Sequence, residues 1–162
     1  MQKQFNKNER AEQIMRQHAD MIYRIALQNL KNEADAQDVF QEVCLSILTK
    51  NAPLDDNVHI KHWLIRVTIN KCKNIKKSLW HQKTEPLDLD YEKGGKDQRI
   101  DEFELLYTLP KSYRNIIYLY YFEEYTVPEI AQILGENKHT VNSRLQRSRK
   151  KLKKILEEGD SL

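Results

Sequence analysis

The sequence predicts an all-α protein built as two small helical domains joined by a flexible linker, the C-terminal one a helix-turn-helix. Three observations lead there. Only four glycines and four prolines occur in 162 residues, and few runs alternate β-branched residues as strands do. Apolar residues recur instead at three- and four-residue spacing over long stretches, which is the period of an amphipathic helix. That period lapses between residues 81 and 100, where Pro86 and the Gly94-Gly95 pair appear and the charge turns acidic, as in a linker. The expected division is residues 1–82, a linker over 83–101, and residues 102–162.

The first helix is expected over residues 10 to 31, with Ile14, Met21, Ile22, Ile25 and Ala26 as its apolar stripe. Asn32 breaks it and can cap the next helix. That second helix, residues 33 to 50, has a broad apolar face made of Val39, Val43, Ile47, Phe40, Cys44 and Leu48. Its first half is acidic, with Glu33, Asp35, Asp38 and Glu42 and no base before Lys50. Acids near a helix N-terminus complement the macrodipole, so part of the pattern is structural. Asp35, Asp38 and Glu42 also share one face. A metal or acid–base site needs more than this: no His joins them and no second acidic cluster lies on a neighbouring helix. An acidic docking face is the better reading.

Residues 51 to 57 read as a loop. A third helix runs from about Val58 to Leu79, with Ile60, Trp63, Leu64, Val67, Cys72 and Ile75 inward by spacing. From Lys61 to Lys83 there are seven bases and no acid. An aromatic and basic helix suits nucleic acid, because rings stack on bases and cations neutralise phosphate. The competing reading makes Trp63 a core residue and the lysines a solvated face.

Beyond the linker the pattern resumes at Asp101 with Phe103, Leu105, Leu106 and Leu109. Pro110 opens a helix with Tyr113, Ile116, Ile117, Tyr120 and Tyr121 on its apolar side. The tyrosines from Tyr118 to Tyr125 could stack on bases, but are more simply a core beneath the next two helices.

Those two helices lie in TVPEIAQILGENKHTVNSRLQRSRKKL, from Thr126 to Leu152. Thr126 and Glu129 fit a capping box, and Pro128 falls in the first turn. Ile130, Ile133 and Leu134 give an apolar face, and Ala131 permits a close helix crossing. Gly135 fits the left-handed residue that ends a helix, and Asn137 caps the next. Val141, Leu145, Ser148 and Leu152 repeat inward, leaving Asn142, Ser143, Gln146 and Arg147 outward. From Lys138 to Lys154 there are eight bases and no acid. This is the helix-turn-helix plan, whose second helix enters the DNA major groove. A merely solvated or partner-facing basic helix is the plainer reading. After Leu156 the tail carries no pattern.

The net charge of +3 averages over segments of opposite sign, and the segregation matters more than the total. No apolar run is long enough to span a bilayer, and the N-terminus lacks a signal-peptide core, so the chain is expected to stay in the cytoplasm. Cys44 and Cys72 lie in apolar helical patterns without zinc-ligand spacing and read as buried free thiols. No cofactor, metal or catalytic constellation is expected.

Three segments in this order resemble one family. DAQDVFQEVCLSIL (Asp35 to Leu48) resembles the polymerase-binding helix of bacterial sigma factors. HIKHWLIRVTINKCKNIKK (His59 to Lys77) is similar to their −10 helix, and Leu109 to Leu156 looks like their C-terminal promoter-reading domain. The small two-domain plan resembles the extracytoplasmic-function group. The resemblance implies a dissociable promoter-specificity subunit of RNA polymerase and not an enzyme. Asp35, Asp38, Val39, Gln41 and Glu42 would dock on core polymerase. Trp63, Arg66, Asn70, Lys71, Lys73, Asn74 and Lys77 would hold melted −10 DNA. Lys138, His139, Thr140, Asn142, Ser143, Gln146 and Arg147 would read the −35 element. The acidic linker would thread along polymerase as a displaceable mimic of RNA charge. The family often has an anti-sigma partner; no small-molecule substrate and no membrane insertion are implied. The chain departs from the family at Thr68-Ile69-Asn70, where Ala-Arg-Asn is common, and in the more polar turn Glu136-Asn137-Lys138-His139. Two other classes stay open: a dimeric helix-turn-helix regulator acting without polymerase, and a metal-dependent nuclease or recombinase using Asp35, Asp38 and Glu42.

Overall fold

The computed structural model describes residues 2–82 and 104–160, with side-chain surroundings for 6–75 and 104–158. The chain divides into two compact units, Met1–Tyr91 and Glu92–Leu162. The boundary falls inside the expected linker, residues 83–101, which lies outside the described residues. Among the described residues all regular structure is helical.

The N-terminal unit is a bundle of three mutually packed helices, α1 (Gln2–Leu30), α2 (Glu33–Thr49) and α3 (Asn57–Gln82). All five residues of the expected α1 stripe are buried, together with Ala11. The helix nonetheless begins well before residue 10, because its polar first turns need no apolar face to continue a helix already packed further on. Asn32 has extended backbone and its side chain accepts from the Asp35 N–H at 2.9 Å, as its sequence position required. Lys31, at φ 54, makes the sharp exit from α1.

On α2 the row Ala36, Val39, Val43 and Ile47 is fully buried. On α3 the buried residues are Ile60, Leu64, Ile65, Thr68, Ile69 and Cys72; Trp63, Val67 and Ile75 are only half-buried. Three of the six expected inward residues therefore lie at the margin, because α3 turns a row centred on Leu64, Thr68 and Cys72 toward α1 and α2. The Thr68 hydroxyl donates to the Leu64 carbonyl at 2.6 Å and so is satisfied in an apolar setting. Asp56 caps α3 by accepting from the Val58 and His59 N–H groups, each at 3.0 Å. These bonds, that from His59 first, hold its carboxyl below the usual carboxylate range. Arg10 pins the connecting loop, its Nε donating to the Leu54 carbonyl at 3.1 Å and its Nη2 to Asn57 Oδ1 at 3.0 Å. Both cysteines are free thiols; Cys72 is buried, while Cys44 is half-buried and not fully so as expected.

The C-terminal unit opens on a 3₁₀ turn, Leu105–Thr108, followed by α4 (Lys111–Ile117), a π turn (Tyr118–Phe122), α5 (Val127–Leu134) and α6 (Lys138–Asp160). α6 thus continues beyond Leu156, where the sequence pattern ran out. Leu106, Leu109, Ile116, Ile117, Leu119, Ile130, Ile133, Val141 and Leu145 form the core. The π turn holds one residue more than an α turn, so it shifts the side chains after it. Tyr118, at its start, is buried, stacked on Phe122 at 5.2 Å and donating to Glu123 at 2.8 Å, whereas Tyr121, within the shifted turn, is 51% exposed. The expected core beneath the helix pair therefore takes one of the tyrosines fully and leaves Tyr121 outside it.

Candidate nucleic-acid interface

The turn between α5 and α6 is built by local chemistry. Thr126 Oγ1 accepts from the Glu129 N–H at 3.3 Å, and Glu129 Oε1 accepts from the Thr126 N–H at 2.9 Å, a complete capping box. Loss of such a cap costs ~0.5–2 kcal/mol. α5 ends at Gly135, whose φ of 68 is left-handed. The Glu136 N–H then donates to the Ala131 carbonyl at 2.9 Å, closing the turn as a six-to-one bond. Asn137 Oδ1 accepts from the His139 N–H at 2.7 Å and starts α6.

That register decides what α6 shows. Val141, Leu145 and Ser148 are buried, and Ser148 satisfies its hydroxyl on the Arg144 carbonyl at 2.7 Å. Lys138, His139, Asn142, Ser143, Gln146 and Arg147 are exposed on the opposite side, while Thr140 is half-buried. Two arginines flank the exposed row and both are held. Arg144 pairs with Glu136 at 3.2 Å. Arg149 donates from Nε to the Tyr121 hydroxyl at 2.7 Å, with its guanidinium over the Tyr120 and Tyr121 rings. The sequence hid both partnerships, since they depend on the turn and on the π turn.

On α3, Trp63, Arg66, Asn70, Lys73 and Asn74 follow three- and four-residue spacing and share one side. Arg66, Asn70, Lys73 and Asn74 are exposed and Trp63 is half-buried beside them. Lys71 is off this row; it is half-buried and its Nζ lies 3.6 Å from Glu42 Oε1. Lys77 continues the spacing on α3, but its side chain lies outside the described residues. The departure from the family at Thr68-Ile69 falls on buried positions, so it alters the core and not the exposed row.

On α2, Asp38, Gln41 and Glu42 are exposed and Asp35 is half-buried. Val39 corrects the expected docking set. It is 0% exposed, because the Val39–Val43–Ile47 row faces the bundle, and it can offer no surface. The apolar residues that α2 does expose are Leu45, at 59%, and Leu48, at 47%, with Phe40 half-buried. Leu45 lies one turn after Glu42 and Leu48 two turns after Gln41, a spacing visible in the sequence once the buried row is known. A shallow hollow of about 360 Å³ opens beside this surface between α1 and α2, lined by Ala19, Asp20, Tyr23, Gln37, Phe40 and Gln41. Among the described residues no three His, Cys, Asp or Glu side chains gather to hold a metal ion, and Asp35, Asp38 and Glu42 form no such group.

Residues 14–82 match the family described as Sigma-70 region 2, and residues 103–152 match Sigma-70, region 4. RNA polymerase sigma factor SigV of Bacillus subtilis (strain 168) is 30% identical over 149 residues, spanning 88% of this chain and 89% of that protein. ECF RNA polymerase sigma factor SigW of the same organism is 29% identical over 159 residues, 86% of this chain and 84% of its own. Among solved structures, the sigma factor RpoE in complex with the anti-sigma factor NepR from Bartonella quintana superposes with a TM-score of 0.73. It is 18% identical and covers 90% of this chain and 96% of that one. CnrH in complex with the cytosolic domain of CnrY gives a TM-score of 0.65 at 20% identity, covering 95% and 96%. At such identities the structural likeness speaks for the fold.

Proposed function

The chain belongs to the sigma-70 family of RNA polymerase sigma factors, in its extracytoplasmic-function group, and from that membership we propose how its surfaces divide the work. A sigma factor directs core polymerase to specific promoters and initiates transcription, and it acts as an initiation factor, not as an enzyme. Residues 1–82 serve polymerase docking and the −10 element, and residues 102–162 serve the −35 element, with 83–101 between them.

In this reading Asp35, Asp38, Gln41 and Glu42, joined by Leu45 and Leu48, meet a basic and partly apolar groove of core polymerase. Trp63, Arg66, Asn70, Lys71, Lys73, Asn74 and Lys77 hold the melted −10 strand, the cations on phosphate and Asn70 on an unstacked base. Lys138, His139, Thr140, Asn142, Ser143, Gln146 and Arg147 face the −35 groove. Base readers among them set sequence and phosphate contacts set register. The carrying observation is the register of α6, which buries Val141, Leu145 and Ser148 and leaves a polar and basic row outward. No described helix is long and apolar enough to cross a membrane, which suits work at the nucleoid in the cytoplasm. An anti-sigma protein, of the kind bound to the Bartonella quintana sigma factor, is a further partner.

The test is reconstitution. Purified protein added to bacterial core polymerase should give transcription from a matched promoter and none from a mismatched one. Binding to palindromic duplex sites as a dimer, with no effect on core polymerase, would overturn the reading in favour of a free-standing regulator.

A further inference from the structure

One basic residue of α6 is held differently from the others. Arg149 lies seven residues after Asn142 and three after Gln146, so it continues the exposed row at helical spacing. Its guanidinium does not extend freely. The Nε donates to the Tyr121 hydroxyl at 2.7 Å, and the guanidinium carbon sits 5.1 Å from the Tyr120 ring centroid and 5.7 Å from that of Tyr121. The two rings meet edge-to-face at 4.9 Å and 72°, each bracing the other. Tyr121 is 51% exposed, so this bracing stands at the surface beside the reading row. The π turn places both rings there.

The donors that remain are arranged for an anion. The Tyr121 oxygen accepts from Arg149, which leaves its own O–H to donate outward. Arg149 makes this bond through Nε and also hydrogen-bonds the Tyr120 side chain, so the guanidinium N–H groups not engaged by the two tyrosines are the donors that remain. The arginine is charged at any working pH, and the bond to Tyr121 favours that form further. A phosphodiester carries two non-bridging oxygens and one charge, and a planar guanidinium with an adjacent hydroxyl donor matches it. Preorganisation reduces the freedom lost on contact.

We propose that Tyr121 and Arg149, braced by Tyr120, form a seat for one phosphate of the DNA backbone that fixes the register of α6 in the −35 groove. The proposal rests on the reading of α6 as the −35 reader. A seat of this kind carries no sequence information; it sets where Asn142, Gln146 and Arg147 fall along the groove.

The experiment uses the full chain assembled with core polymerase, on promoter DNA carrying single uncharged methylphosphonate linkages across the −35 element. Wild type should lose affinity at one linkage in particular. Tyr121→Phe, which keeps the ring, should bind normal DNA roughly three- to tenfold more weakly and should be less sensitive to that same linkage. Arg149→Gln should lower the slope of log affinity against log salt by about one. Circular dichroism and melting temperature of Tyr121→Phe should match wild type. The seat is overturned if no linkage is sensitive in wild type and less so in Tyr121→Phe, or if the loss is confined to one −35 sequence. Gln146→Ala and Arg147→Ala separate this from the underlying reading. If they impair −35 use while the seat variants behave as wild type, only the seat falls; if all four behave as wild type, α6 is not the reader and both fall.

Discussion

Glu42 of α2 and Lys71 of α3 face each other across the N-terminal unit, carboxylate oxygen to ammonium at 3.6 Å. One residue belongs to the proposed polymerase dock and the other to the proposed −10 surface, so the two surfaces share an edge. The pair is partly exposed, and such pairs contribute only ~0.2–1 kcal/mol. Its interest lies in adjacency and not in stability.

Charge reversal tests the dock. Glu42→Lys and Asp38→Lys each place a cation where the partner groove is expected to be basic, and should weaken association with core polymerase roughly tenfold or more. Both side chains are exposed, so the helical circular-dichroism spectrum and the melting temperature should stay close to wild type. Glu42→Lys additionally sets two cations face to face and should be the less stable of the two, by under about 1 kcal/mol. Normal binding of core by both variants would remove α2 as the dock.

Asn70 tests promoter opening. It is exposed between Arg66 and Lys73 on the outward row of α3. Taking a base out of the stack costs a few kcal/mol, which a pocket must offset with hydrogen bonds and stacking. Asn70→Ala should therefore reduce permanganate reactivity of melted −10 thymines more than it reduces gel-shift binding to duplex promoter. Equal loss in both assays would assign Asn70 to general affinity.

The proposed −35 face yields a contrast within one helix. Gln146→Ala and Arg147→Ala should each cost about 1–3 kcal/mol on a matched −35 element and relax specificity at one position. Lys154→Ala, further along the same helix, should weaken all sequences slightly and equally. Unchanged promoter use in the first two with loss in the third would reverse the assignment.

Tyr125 makes the C-terminal unit sensitive to alkali. Its hydroxyl is pushed up to about 12 from 10.0, first by burial and then by the negative charges of Glu123 and Glu129. The folded state thus holds the proton after the unfolded chain has begun to release it. The associated stability is complete below about pH 10 and is lost as pH rises through about 12. Chemical denaturation across that window should show a falling stability in wild type and a shallower fall in Tyr125→Phe.

Much of this was legible because it is written in local backbone chemistry. The Thr126–Glu129 box, the left-handed Gly135 and the caps at Asn32 and Asn137 each depend on residues at most three apart, and each formed as the sequence required. The hidden features depend on packing between elements. Val39 and Leu48 both fall on the expected apolar face of α2, and only the position of α1 and α3 decides that the first is buried and the second exposed. The π turn inserts a phase shift that a fixed 3.6 period cannot anticipate, so Tyr121, expected on the apolar side, is exposed. The Glu42–Lys71 contact likewise requires two helices to be placed first.

The ion pair between Glu136 and Arg144, 3.2 Å apart at the edge of α6, has a consequence for search kinetics. A protein that finds rare sites among a vast excess of wrong ones is slowed by every cation that grips DNA indiscriminately. By occupying Arg144, Glu136 would trim that grip without touching the exposed row of α6. Glu136→Gln should lengthen single-molecule dwell times of the holoenzyme on promoter-free DNA while leaving the ranking of promoter sequences unchanged. An acid in the turn of the proposed reading motif would then act as a release, keeping the molecule in circulation among sites.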